Sequence, residues 1–368
     1  MIIESLELRN FRNYGELELS LHPGTNLLYG DNAQGKTNIL EAVYLCASAK
    51  SYRGSRDREM IRFGEEEAHV KLNAVKEEIP CRIDIHLKKS SAKGIAVNGV
   101  PIRRASELFG TVNMVLFSPE DLNIIKNGPA DRRRFLDLEL CQLNRAYIFS
   151  LLSYNRALVQ RNRLLKDISF EPSLADTLDV WDAQLLKYGG ELMRARERFL
   201  SELDPVVSSI YAGITGDAEK IRISYEQNVS EALFGETLKK SRAQDLRQGT
   251  TSAGPHRDDI AFFLENPSLP GKRGMDLRKF GSQGQQRTAA LALKLSEIEL
   301  KRRVTGDDPI LLLDDVLSEL DTDRQRHLLR EIAKTQTILT STGMENLLNS
   351  DFQIDRKFQV IRGSVTEA

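Results

Sequence analysis

Eight residues at positions 30–37, GDNAQGKT, carry the most specific chemistry in the chain. They match G-x-x-x-x-G-K-[ST] at every fixed position. An apolar run, NLLY, reads as a strand before them, and TNILEAVYL reads as a helix after them, which is the context such a loop requires. Gly30 and Gly35 let the backbone curl, so that successive N–H groups along Asp31, Asn32, Ala33 and Gln34 face a polyphosphate. The helix start adds its positive end. Lys36 can reach the β- and γ-phosphates, Thr37 can ligate Mg²⁺, and Asn38 follows in the first helical turn. ATP and Mg²⁺ are the cofactors this stretch predicts.

A second constellation lies far downstream. PILLLDDVLSELD places an apolar strand before Asp314, which suits a carboxylate in a Mg²⁺ shell. Asp315 follows directly. On a strand it would point to the opposite side, so it takes a separate task, orienting the attacking water. The plainer alternative is two acids solvating a strand end. Between the two constellations, KFGSQGQQRTAALALKL spans positions 279–295. Ser282 and Gln285 have the S-x-x-Q spacing of a capping box, and a well-capped helix start is the bland reading. That reading leaves Gly284 without a reason. Ser282, Gln283, Gly284 and Gln285 together offer free N–H groups, a hydroxyl and an amide to an anion, as a second γ-phosphate clamp would.

The elements that must position these residues are legible in outline. IIESLELRNF, GELELSL, AHVKLNAV and CRIDIHL alternate as strands, and Asn98–Gly99 between apolar runs signals a hairpin turn. Pro119 stands at the first turn of a new helix. From about 130 to 215 the spacing is helical, in two runs that could pack as an antiparallel arm, the second ended by Pro205. Strand and turn signals return over about 220–265, and ENPSLPGKRGMD reads as an exposed loop. The remainder reads as helix 282–303, strand 309–314, helix 321–335, strand 336–341 and a closing strand near 357–361. This is an α/β chain whose ATPase sheet is built from both ends. Residues 1–118 and 246–368 form the head, and residues 119–245 an inserted helical domain.

Composition narrows the function classes. The chain has 368 residues and a formal net charge of −1, so nucleic-acid binding must come from local patches. Three cysteines without CxxC pairing fit a reducing compartment and argue against a zinc site. The start of the chain lacks the pattern of a signal peptide, and no apolar run nears the roughly 18 residues of a membrane span. A soluble, cytoplasmic protein is expected.

The order of phosphate loop, long insertion, S-Q-G-Q helix, Asp–Asp strand end and SELD resembles the ABC-type ATPases. LELRNFRNY, GDNAQGKTNILEA, GPADRRRFLD, GPHRDD, GSQGQQRTAALALKL and LLLDDVLSELD together resemble the RecF family of bacterial DNA repair proteins, over nearly the whole chain. That resemblance implies an ABC-type P-loop ATPase head, with a mixed sheet, an antiparallel N-terminal β part and a helical arm. It is akin to the head of SMC proteins without their long coiled coil. It implies an ATP-induced homodimer in which the signature of one copy closes on the nucleotide of the other. It also implies weak ATP hydrolysis, binding to duplex DNA or gap edges, and RecR, RecO and RecA as partners. By the same resemblance Arg12 touches the nucleotide; an ordinary strand-end arginine is the alternative. Glu120 is the nearest stand-in for a Q-loop glutamine. Two departures predict a slow switch: Asp315 replaces the usual glutamate, and Thr340, Ser341 or Thr342 stands where a histidine is common. The alternative function is an ABC-type subunit of another DNA- or membrane-associated complex.

Three basic clusters could meet DNA, at 52–62, 131–135 and 156–166. The first follows the phosphate-loop helix, so Arg53, Arg56, Arg58 and Arg62 are the expected backbone contacts. Few aromatic residues interleave, which favours duplex or junction over single strands.

Overall fold

The computed structural model describes residues 1–265, 274–343 and 352–368. Most of the stretch read as an exposed loop, residues 266–273, lies outside them. By its internal packing the chain divides into two units, Met1–Asp121 with Lys294–Ala368, and Leu122–Leu293.

The first unit opens with β1 (Ile2–Phe11), β2 (Tyr14–Ser20), β3 (Thr25–Tyr29) and α1 (Lys36–Ser48). Then come β4 (Glu67–Lys76), β5 (Ile79–Lys88), β6 (Gly94–Val97), β7 (Val100–Pro101) and β8 (Met114–Phe117). Six of these strands form an antiparallel sheet in the order β2-β1-β4-β5-β6-β7. Its apolar residues alternate onto one face: Leu6 and Leu8, Val70 and Leu72, Ile83 and Ile85 are buried. A register shift between Ile3 and Ser5 lets Ile3 join that face three positions before Leu6 instead of two. The Asn98–Gly99 turn is as expected. Both residues have positive φ, 51° and 79°, which is the backbone a two-residue hairpin needs, and Val97 pairs with Val100.

The second unit is mainly helical. It holds α2 (Leu122–Lys126), α3 (Pro129–Leu143), α4 (Arg145–Asp167), α5 (Leu178–Ile214), β9 (Ile221–Glu226) and α6 (Glu231–Gln248). β10 (Asp259–Leu264), β11 (Met275–Asp276) and α7 (Leu277–Phe280) follow, and α8 (Gln283–Thr305) starts in this unit. α4 and α5 pack antiparallel: Ser150 meets Glu191, and Arg161 meets Asp182 at 2.6 Å. α3, α4 and α5 each bury one arginine against carboxylates. Arg132 takes both oxygens of Asp259 at 2.6 and 2.9 Å. Arg161 takes Asp182 and Asp245, and Arg196 takes Asp137 at 2.9 Å.

The chain returns to the first unit through β12 (Ile310–Leu313), α9 (Thr322–Ile332), β13 (Thr337–Ser341), β14 (Arg356–Ile361) and β15 (Ser364–Glu367). Together with β3 and β8 they make a second sheet, ordered β15-β14-β3-β13-β12-β8. All its neighbours run parallel except β14 and β15. Leu27, Leu28, Ile310, Leu311, Leu312, Ile338 and Leu339 are fully buried, so these strands read as continuous apolar runs. Burying each such side chain is worth about 1.5–3 kcal/mol. α1 packs into a core that contains residues of both sheets, which fixes the loop before it.

Three expectations differ from this structure. Pro205 does not end its helix; α5 continues to Ile214. The carbonyl that the proline leaves without a partner belongs to Ser201, which is exposed to water, while Leu203, Val206 and Val207 stay buried around it. The 220–265 stretch is not only strand and turn, because α6 lies within it, burying Phe234, Leu238 and Asp245 at helical spacing. The inserted unit is longer than 119–245. Residues 246–293 group with the helices because β10 pairs with β9 and β11.

Candidate nucleotide site

The loop between β3 and α1 has the backbone its glycines predict. Gly30 has φ 150° and Gly35 φ 119°. A Cβ on Gly30 would lie 2.3 Å from the Val360 carbonyl oxygen, and one on Gly35 would lie 2.5 Å from the Asn13 side chain. Only glycine fits either place. Asn13 Nδ2 donates to the Gln34 carbonyl at 2.9 Å, and the Tyr14 hydroxyl donates to the Gly35 carbonyl at 3.1 Å. On another side the turn after β14 holds Gln34. Arg362 N–H donates to its side-chain oxygen at 2.7 Å and Gly363 N–H to its carbonyl at 3.1 Å. The Asn38 amide donates to Asn13 Oδ1 at 2.8 Å.

Lys36 is buried at the head of α1, with its ammonium on the Gly30 and Asp31 carbonyls, at 2.5 and 2.7 Å. Burial lowers its pKa, opposed by the charges of Asp315, Asp31 and Asp314. The Thr37 hydroxyl donates to Asp314 Oδ1 at 2.9 Å. Asp314 thus touches the first turn of α1, directly after the loop. The same oxygen accepts from the Thr340 hydroxyl at 3.1 Å.

Asp315 departs from its expected geometry. β12 ends at Leu313, so neither acid sits on the strand. Asp315 has φ 53° and ψ 24°, a left-handed turn, and its N–H donates to Thr340 Oγ1 at 2.9 Å. Strand alternation therefore does not set its direction. Burial raises the Asp315 carboxyl above its ordinary range, Asp314 and Glu319 add to this, and Lys36 opposes it. Of the three residues offered in place of a histidine, Thr340 is on the Asp314 carboxylate and the Asp315 main chain. Ser341 donates to the Gly343 carbonyl instead, and Thr342 is exposed. Glu120 lies exposed in a 3₁₀ turn that runs from Pro119 into α2.

Arg12 is engaged within the protein. Its Nε and Nη2 donate to the two oxygens of Glu41 at 2.7 Å each. Its guanidinium also reaches Ser55 Oγ at 2.6 Å and the Glu59 carbonyl at 2.8 Å. Glu41 is fully buried on α1. Arg53 donates to Asn38 Oδ1 at 3.2 Å, while Arg56, Arg58 and Arg62 are exposed. The other two basic clusters are partly structural, since Arg132 and Arg161 are the buried arginines described above.

In the second unit, Ser282 and Gln285 form the reciprocal capping box. Ser282 N–H donates to Gln285 Oε1 at 2.9 Å, and Gln285 N–H to Ser282 Oγ at 3.2 Å. Gln285 Nε2 donates to Glu219 at 2.6 Å, and Glu219 also accepts from the Tyr211 hydroxyl. Ser282 and Gln283 are exposed. GPHRDD serves as the polar interior of this unit: Tyr154 donates to His256 Nδ1 at 2.7 Å, and Asp258 accepts from Tyr225.

Sequence reasoning missed Glu41, Asn13 and Tyr52. The Tyr52 hydroxyl donates to Asp314 Oδ2 at 2.7 Å. No spacing rule joins a tyrosine after α1 to a carboxylate after β12.

This geometry has close relatives. The family described as the RecF/RecN/SMC N terminal domain matches residues 2–361. The DNA replication and repair protein RecF of Agathobacter rectalis is 54% identical over 365 residues, 99% of each chain. That of Lachnoclostridium phytofermentans is 53% identical, again over 99% of each. The chain belongs to the RecF family. A solved structure of the recombination mediator protein RecF with ATP, in the RecFOR pathway, superposes with TM-score 0.91 at 36% identity, covering 100% of this chain and 97% of that one. The Smc head domain of Pyrococcus furiosus shares the fold, with TM-score 0.58 at 17% identity. The RecF-family chain thus has the ABC-type ATPase head read from its sequence. Among its described residues no helix is long and apolar enough to cross a membrane.

Proposed function

We propose that this chain is an ATP-gated DNA-binding protein of recombinational repair, acting in the cytoplasm. ATP brings two copies together. The dimer binds duplex DNA or the edge of a single-strand gap and, with RecR and RecO, helps to load RecA. Slow hydrolysis then releases it. The observation that carries the reading is the Thr37–Asp314 hydrogen bond at the head of a fully formed phosphate loop. Family membership and the ATP-bound relative support it.

The chemistry follows from the residues present. Lys36 exchanges its two carbonyl partners for phosphate oxygens. The Thr37 hydroxyl and the Asp314 carboxylate are hard oxygen donors in contact, a set that fits Mg²⁺. Bound there, the ion would supply positive charge that offsets the charge on the phosphates. Asp315 orients the attacking water. Its side chain is one methylene shorter than glutamate, and a misplacement of about 1 Å costs on the order of a hundredfold, so turnover is slow. Ser282 and Gln283, exposed on a capped helix start, are available to the nucleotide of a second copy. Arg53, Arg56, Arg58 and Arg62 contact DNA phosphates in a sequence-independent, salt-sensitive manner.

The test is fluorescence anisotropy on duplex, single-stranded and gapped DNA, each with and without ATP. Nucleotide should strengthen binding to duplex and gapped DNA. Equal affinity in both conditions would remove the switch.

A further inference from the structure

Asp314 is held by more than the nucleotide machinery. Its Oδ1 accepts from Thr37 and Thr340, whereas Oδ2 accepts from Tyr52 at 2.7 Å. Tyr52 belongs neither to the phosphate loop nor to the strand end. It lies just beyond α1, immediately before Arg53, in the segment that carries the four exposed or half-exposed arginines.

Beside the Lys93–Asp57 pair at 2.8 Å and the main-chain bonds of Met60 with Arg12 and of Arg62 with Asn10, two fastenings of that segment bear on the site. One is Glu41 on α1, which accepts from Ser51 Oγ and from Arg12, while Arg12 also grips Ser55 and the Glu59 carbonyl. The second is the Tyr52–Asp314 bond. The two fastenings differ in chemistry. The Glu41 cluster is a closed ion pair inside the protein. The Tyr52 bond occupies an oxygen of the carboxylate assigned to the metal. A cation on Asp314 would draw electron density from the whole carboxylate and weaken Oδ2 as an acceptor, so metal binding and the Tyr52 bond oppose each other. Tyr52 is largely buried, and burial together with Asp314 pushes its hydroxyl above the ordinary tyrosine range. It donates as a neutral phenol. A buried hydroxyl that loses its acceptor must find another.

We propose that Tyr52 is the positioning residue through which the metal–nucleotide state of Asp314 reaches the basic segment. With Tyr52 on Asp314 the segment is held in one place. When the metal takes the carboxylate, the tie is released and the arginines change how they meet a phosphate backbone. This rests on the reading above that these arginines contact DNA. Linkage makes the coupling reciprocal: DNA on the segment changes the affinity for metal–nucleotide by the same factor.

Tyr52→Phe tests this, because it removes only the hydroxyl and keeps the ring that meets Tyr44 edge-on at 5.5 Å. The first measurement is binding of ATPγS across a Mg²⁺ titration. Without the competing donor, half-maximal Mg²⁺ should fall about fivefold or more. The second is the ratio of duplex affinities with and without Mg²⁺–ATPγS, which should shrink in the variant to within about twofold of unity. A purely structural role would lower the melting temperature and leave both readouts as in wild type. An unchanged Mg²⁺ midpoint overturns the inference whatever DNA does. A shifted midpoint with an undiminished DNA ratio overturns the coupling. If wild type itself has no ratio, the proposed DNA switch fails and takes the coupling with it, while the Mg²⁺ midpoint still decides whether Tyr52 competes at Asp314.

Discussion

Thr37 and Asp314 stand 277 positions apart in sequence, yet the hydroxyl of one donates to the carboxylate of the other at 2.9 Å. Asp314→Asn keeps the shape of that contact and removes the charge. Hydrolysis should fall by about 10²–10³, the cost of losing one well-placed electrostatic group at a reacting phosphate. Phosphate release under saturating ATP measures it, and a rate within a few-fold of wild type would remove Asp314 from the metal shell.

Lys36 and Ser282 should separate binding from assembly. Lys36→Arg is expected to lose ATP-driven dimerisation because it disturbs the phosphate cradle. Ser282→Arg should bind nucleotide and still fail to dimerise. Gel filtration with a non-hydrolysable analogue reads both. A Ser282→Arg dimer as stable as wild type would make the capping box a feature of one chain only.

Glu219 holds the Gln285 amide at 2.6 Å and accepts from Tyr211. In Glu219→Ala both donors lose a charged acceptor, a change of about 1.5–3 kcal/mol. The expected result is a tenfold or greater loss in dimer affinity with nucleotide binding retained, read by analytical ultracentrifugation.

Arg161 is fully buried between Asp182 and Asp245. Removing it takes from buried Asp245 its arginine and leaves Asp182 with Arg242 alone, at 2.6 Å. Arg161→Ala should cost about 3–5 kcal/mol in urea unfolding. Arg163→Ala, which loses only the exposed pair with Asp167, should change little.

His256 gives a pH signature. Its Nε2 donates to the Thr251 carbonyl at 3.1 Å and its Nδ1 accepts from Tyr154, which fixes the neutral ring. Burial lowers its pKa from 6.5 to about 4. The folded state therefore resists protonation. The stability from this residue is whole above pH 6.5 and is lost as pH falls from 6.5 toward 4, on the order of 3 kcal/mol in all. His256→Gln should flatten that part of the urea stability profile between pH 7 and 4.

Much of the head was legible in the sequence because its chemistry is local. The glycines at 30 and 35, the lysine and the threonine report their roles through fixed spacing, and ILLL before Asp314 reports a buried strand. The rest depends on contacts that spacing does not encode. Asp315 looked like a strand residue because a left-handed turn has no fixed side-chain signature outside glycine and asparagine. Tyr52 and Glu41 gave no signal, since their partners come from elsewhere in the chain. Arg132 and Arg161 looked like surface charge because their carboxylates lie on other elements. Pro205 looked like a stop because water's role in satisfying the Ser201 carbonyl is invisible until the exposed side of α5 is known.

The strand that carries the phosphate loop lies between β13 and β14, and 311 positions separate Asn26 from Thr337, to whose carbonyl its side-chain amide donates. On the ribosome, β3 therefore emerges long before either neighbour exists. Residues 122–293 are made in the interval and can pack first, while β3 waits with both edges unpaired. Pairings of such long range are slow to close. A nascent chain halted before position 337 would carry every residue of GDNAQGKT while the strand before that loop still lacked the partner for either edge.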